Sequence, residues 1–211
     1  MNNFLNQWDG DQDNHRIPIP FHHHPLPIKQ QLSSAIYRLK TQQNKLESAA
    51  LRMQQHDKEI FAKCVSAQMS HDTARAAMYA NECAEVRKIA KVTLQSQLAL
   101  EQVALRLETI EEFGDIARMM GPVASVVRSV KNQISGVIPE VGFELNEVGE
   151  MLNGFVADAG EPIAESYDVG ASNEEAQRIL GEANAIADQH LKDRFPDLPG
   201  GSQRISESLS H

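Results

Sequence analysis

No glycine and no proline occurs between Ile28 and Phe113, a run of 86 residues. Those two residues are the strongest local breaks on regular structure, and the run is instead rich in Ala, Leu, Gln, Glu, Lys and Arg, all good helix formers. At 1.5 Å per residue it would extend about 130 Å as one rod, or about 60 Å as two antiparallel arms. Either shape presents surface rather than enclosing a pocket.

The apolar register decides how such a run packs. Steps of four and three from Leu32 give Leu32, Ile36, Leu39, Gln43, Leu46, Ala50, Met53, Asp57, Ile60, Cys64 and Ala67, broken only by Gln43 and Asp57. That is the seam of a helix packed lengthwise on a partner. A second seam follows, with Val86, Ile89, Thr93, Ser96, Leu100, Val103, Leu107 and Ile110, small and polar in its middle. Between them, in SHDTARAA, Ser70 or Asp72 can cap a new helix, so a turn near Met69–Asp72 folds the rod back on itself. His71 reads as an exposed or capping residue beside that turn, and Tyr79 as a packing residue close to the seam. The fold expected is all-α, a long antiparallel helical hairpin with shorter helices after it; a continuous rod that dimerises is the competing arrangement.

Glycine and proline return after Phe113 and divide the remainder into shorter pieces. Valines and isoleucines from Val123 to Val137 recur at helical spacing, and 144–155 can form another helix. Residues 156–172 read as an acidic linker. Ser172 followed by Glu175 has capping-box spacing, and opens a C-terminal helix over 173–195 that includes Ile179, Leu180, Ile186 and Leu191. The expected organisation is a proline-rich arm over 1–27, a core over 28–155 (hairpin 28–118, short helices 122–155), the linker, the C-terminal helix, and a disordered tail over 196–211.

The net charge of −9 is unevenly spread. Residues 29–63 carry seven bases (Lys29, Arg38, Lys40, Lys45, Arg52, Lys58, Lys63) against three acids, a net of +4, whereas residues 120–211 have a net of −9. A basic helix inside an acidic protein suits an anionic target or an internal site for the acidic segment. Nucleic acid is the poorer target, because the overall balance is acidic and the aromatic interleaving of single-strand binders is missing. An anionic membrane fits better, at about 1 kcal/mol per exposed base. Polymerisation would multiply such weak attraction. Phe4, Leu5 and Trp8 in the arm could insert at a lipid interface or simply be part of a disordered segment.

Catalytic signatures are missing: no phosphate loop, no nucleophile elbow, no H-E-x-x-H and no C-x-x-C. His22, His23 and His24 lack the accompanying ligands of a metal site. Glu111, Glu112 and Asp115 read as a solvated acidic face. Cys64 and Cys83 read as buried thiols of a reducing compartment. The start MNNFLNQWDGDQD is unlike a signal peptide, and no apolar run reaches the length of a membrane span. A soluble, cytoplasmic protein without enzymatic activity, cofactor or metal is expected.

Three stretches carry a more specific signal: LESAALRMQQHDKEIFAK (46–63), RAAMYANECAEVRKIAK (75–91) and LALEQVALRLETI (98–110). Together they resemble the ESCRT-III family, in particular its archaeal cell-division branch, CdvB and its paralogues. The pattern that includes Tyr79, Asn81, Glu82, Glu85, Arg87 and Lys88 carries the resemblance, which covers about residues 29–155 and extends to the final helix. It implies a protein that switches from a closed to an open form and builds filaments with itself and its paralogues. Those filaments lie on the inner face of the membrane at the division site, which they constrict during cytokinesis. The membrane or assembly surface would then fall on Lys29, Arg38, Lys40, Lys45, Arg52, Lys58 and Lys63, with 140–193 restraining assembly. A Vps4-type AAA ATPase, called CdvC in archaea, is the implied remodelling partner. The helix bearing Glu175, Ile179, Leu180, Ile186 and Leu191 only partly matches the motif it recognises, since Gly181 and alanines stand where bulkier leucines are expected. The alternative is a soluble coiled-coil adaptor whose basic helix binds an acidic protein.

Overall fold

In the computed structural model, residues 28–113, 116–158 and 169–196 are described. Five helices account for them: α1 Ile28–Met69, α2 Thr73–Phe113, α3 Ile116–Ile134, α4 Pro139–Asp158 and α5 Val169–Arg194. The arm over 1–27, the tail from 197 on, the centre of the acidic linker and Asp115 lie outside the described residues.

The two-arm arrangement forms, with arms of 42 and 41 residues. The turn is compact because three residues serve both helices. His71 N–H donates to Gln68 O at 3.1 Å and Asp72 N–H to Ala67 O at 2.9 Å, the paired bonds of a Schellman ending. That ending needs a left-handed residue, and His71 takes the position with φ 55°. Asp72 then caps α2, its Oδ1 accepting from the Arg75 N–H at 3.1 Å. Ser70, the other candidate cap, turns its hydroxyl back to Ser66 O at 2.9 Å.

The short helices pack on one half of the hairpin. Leu32, Leu39 and Leu46 of α1 and Leu100, Val103 and Leu107 of α2 form one core with Val123, Val127 and Val130 of α3, Leu145, Leu152 and Phe155 of α4, and Ile179 of α5. Nearer the turn the core thins to Ile60, Cys83 and Val86, with Met53, Phe61 and Tyr79 partly buried against them. Below the turn, burial therefore rests on α1 and α2, whereas the open half is covered by three further helices.

Three helices have boundaries other than those read in the sequence; α4 spans Pro139–Asp158 rather than 144–155, since proline suits a first helical turn. Helix α3 runs through Pro122, which sits inside it rather than before it. The apolar face of α3 continues from Met120 across the proline to Ile134, so core packing offsets the missing N–H donor. Helix α5 begins at Val169, three residues before Ser172, so Glu175 is not the partner in a helix-opening cap. At Gly142 the packing requires a bare backbone: a Cβ there would press on Ser135 at the end of α3, at 3.0 Å from its Cα. That closeness lets α4 return directly along α3.

Candidate assembly surface

The hairpin is pinned below its midpoint by an ion pair that crosses it. Asp57, one of the two breaks in the first seam, is fully buried, and Arg87 is 14% exposed. Arg87 Nε donates to Asp57 Oδ1 at 2.8 Å and Nη2 to Oδ2 at 2.9 Å, a bidentate fork. The same guanidinium donates through Nη1 to Pro196 O at 2.7 Å and lies 5.6 Å from the centre of the Phe195 ring. One arginine thus joins α1, α2 and the chain leaving α5. Burial, reinforced by the Asp57 carboxylate, pushes the nearby Cys83 thiol up to about 11.

Helix α5 lies across α2 on small residues. Ala176, Ile179, Ala183 and Ala187 are buried, and Ala187 meets Ala50 and Leu94. Ion pairs flank this contact: Lys91 Nζ lies 2.6 Å from Asp188 Oδ1, and Arg106 pairs with Glu175. Arg178 also binds Glu175, at 2.7 Å, and its hydrogen bonds, with the Arg106 charge in support, hold the Glu175 carboxyl below the usual carboxylate range. Leu180 and Leu191 are half-buried, and Ile186 is exposed.

The seven bases of α1 divide into two groups. Arg38 Nη2 lies 3.7 Å from Glu144 Oε2 of α4, and Lys40 pairs with Glu108 of α2. Lys29, Lys45, Arg52, Lys58 and Lys63 are exposed, and none of them forms an ion pair with another described residue. Lys45, Arg52 and Lys63 follow Arg38 along one stripe of the helix, since steps of seven and eleven residues close nearly whole turns.

Of the residues assigned to the seam, Leu32, Ile36, Leu39, Leu46, Ile60, Val86, Leu100, Val103, Leu107 and Ile110 are buried and Met53 is partly so. Ile89 departs from it, at 40% exposure, and Ala90 is buried in its place. A step of four residues from Val86, not three, keeps pace with the helical repeat here, and Ala90 permits the closer approach. Tyr37 (73% exposed) and Phe143 (67%) add large apolar groups to the outer surface.

The sequence reading missed the Asp57–Arg87 pair and the two α2–α5 ion pairs. An acid at a seam position was the available signal for the first, because a buried carboxylate calls for a cation. Nothing local signalled the others. Among the described residues there is no cluster of His, Cys, Asp and Glu able to hold a metal ion, and no helix is long and apolar enough to cross a membrane.

A helical hairpin with a basic first arm, capped by short helices and an acidic final helix, is an ESCRT-III-like arrangement, and comparison with known proteins agrees. The chain is 44% identical over 196 residues to Cell division protein B1 of Sulfolobus acidocaldarius, covering 93% of this chain and 89% of that protein. It is 31% identical over 175 residues to Cell division protein B of the same organism, covering 81% and 67%. Cell division protein B3 is 26% identical over 117 residues, covering 56% and 68%. The chain belongs to the cell division protein B (CdvB) family, the archaeal branch of ESCRT-III. No family model and no solved structure matches it.

Proposed function

We propose that this protein is a non-enzymatic subunit of cell-division filaments, which assembles with itself and with paralogous subunits on an anionic membrane and constricts it. The observation that carries this reading is the stripe of unpaired bases on α1. Lys45, Arg52 and Lys63 are exposed without an ionic partner among the described residues, whereas Arg38, Lys91 and Arg106 are taken by acids of α4 and α5. A protomer using that stripe would bind weakly alone, and a filament would repeat the stripe along its length. Exposed Tyr37 and Phe143 supply apolar surface for contacts between subunits. The names of the relatives place those proteins in cell division, and the paralogues in one organism support co-assembly.

In this reading α5 restrains assembly, because its ion pairs with Lys91 and Arg106 hold it across α2. A Vps4-type ATPase (CdvC) would have to displace the helix first, since Ile179 is fully buried and Leu180 half-buried. The location that follows is the cytoplasmic face of the membrane at the division site.

Vesicle co-sedimentation of the full chain tests the membrane step. Binding to anionic vesicles should weaken with salt, and the triple variant Lys45→Glu, Arg52→Glu, Lys63→Glu should lose at least about 100-fold in partitioning, from about 1 kcal/mol per base removed. Equal binding by the triple variant sinks the proposal. Loss of a protein complex with unchanged lipid binding would favour the adaptor reading.

A further inference from the structure

The side of α1 that faces the α3–α4 turn carries a groove in two joined parts. The first, about 510 Å³, is lined by Thr41, Asn44, Lys45, Ser48 and Arg52. The second, about 460 Å³, is lined chiefly by Met53, His56, Val86, Ile89 and Val137. Arg52, Ile138 and Glu140 line both, and Glu140 is the one acid among the lining residues. Moving along α1 from its start, the groove is therefore basic first and apolar afterwards. Lys45 and Arg52 have no ion pair with a described residue, and the Ile89 side chain is left 40% exposed in the apolar part.

We propose that residues 4–13 of the same chain occupy this groove, with Asp9, Asp11 and Asp13 against Lys45 and Arg52, and Phe4, Leu5 and Trp8 in the apolar part. Three observations support the assignment. Charge is complementary, since those acids are the only ones in residues 1–28 and face a single base there, Arg16. Reach is sufficient: Arg52 stands 24 residues into α1, about 36 Å from its start. Fourteen residues, 14 to 27 with four prolines, could reach up to about 43 Å at about 3.1 Å each. Order also matches. Read backwards from α1, the arm presents its acids before its aromatics, as the groove presents its bases before its apolar part. So placed, the arm withholds Lys45 and Arg52 from other anions. That consequence rests on the proposed membrane reading; the docking itself does not.

Trp8 is the chain's only tryptophan, so its emission reports the arm directly. In the full chain, without lipid and at low salt, Trp8 should emit to the blue of the isolated 1–27 peptide and be quenched several-fold less by acrylamide. Both differences should persist on dilution. The double variant Lys45→Glu, Arg52→Glu and, separately, Ile89→Asp should return Trp8 to peptide-like quenching, with helical circular dichroism retained as proof of folding. The proposal fails if Trp8 in the unaltered chain is as accessible as in the peptide. It fails equally if protection survives both variants, or if protection is lost on dilution, which would mean that a second copy supplies the cover. Because no vesicle is present, these outcomes are independent of whether the protein binds membranes.

Discussion

Arg87 holds Asp57 through two hydrogen bonds, at 2.8 and 2.9 Å, with the carboxylate wholly out of solvent. The pair staples α1 to α2 where the core is thinnest, and its third donor reaches Pro196 O beyond α5. Hairpin integrity and α5 docking thus share one side chain.

Arg87→Ala should therefore cost about 3–5 kcal/mol, because it strands a buried carboxylate. Chemical denaturation measures this. Arg87→Met combined with Asp57→Leu should recover most of the loss, since it removes both charges and keeps apolar volume. A single-variant cost below about 1 kcal/mol would assign the pair to the solvated class.

Cys83 gives a pH dependence of defined sign. Its thiol is pushed up to about 11 from an ordinary 9.0, chiefly by burial, so the folded state favours the protonated form. The resulting stability is complete below about pH 9 and is lost as pH rises toward 11. Denaturant midpoints of the unaltered chain and of Cys83→Ala, compared in reductant at about pH 8 and about pH 10.5, below and above the ordinary value, should converge as pH rises. A constant gap between the two proteins would contradict the assignment.

Ser96 Oγ and Gln42 Oε1 are buried polar atoms without a hydrogen-bond partner among the described residues. Ser96→Ala removes the first at no loss of helix propensity. It should stabilise the protein by about 1 kcal/mol, within the cost range of an unsatisfied buried hydroxyl. Thermal unfolding reads the change, and a lowered midpoint would show that the hydroxyl is satisfied.

His71 holds the left-handed position of the turn. His71→Gly should relieve about 1 kcal/mol of backbone strain, whereas His71→Val should add to it. The rank order of the unfolding midpoints, glycine above histidine above valine, is the check.

The helices and their turn were legible because their causes are local. Propensity, the spacing of Leu32, Ile36 and Leu39, and the Asp72 cap all act within a few residues. The site was only partly legible. The bases of α1 could be counted from the sequence, but which of them are neutralised depends on Glu144 and Glu108, distant in the chain. Pro122 misled as a boundary mark because packing outweighed the local signal: Val123 and Val127 hold α3 together across the proline, and α5 already begins before Ser172.

By itself the sequence determined that residues 28–113 are helical, that their apolar seams suit lengthwise packing and that the first part is basic, leaving a hairpin and a continuous rod both open. Tertiary structure decided that Asp57 is half of a buried ion pair, that Ile89 yields its place to Ala90, and that α5 lies across α2. The physical reason is that helix formation draws on neighbours three and four residues away. The burial of a charge, by contrast, is settled by whatever the fold brings against it.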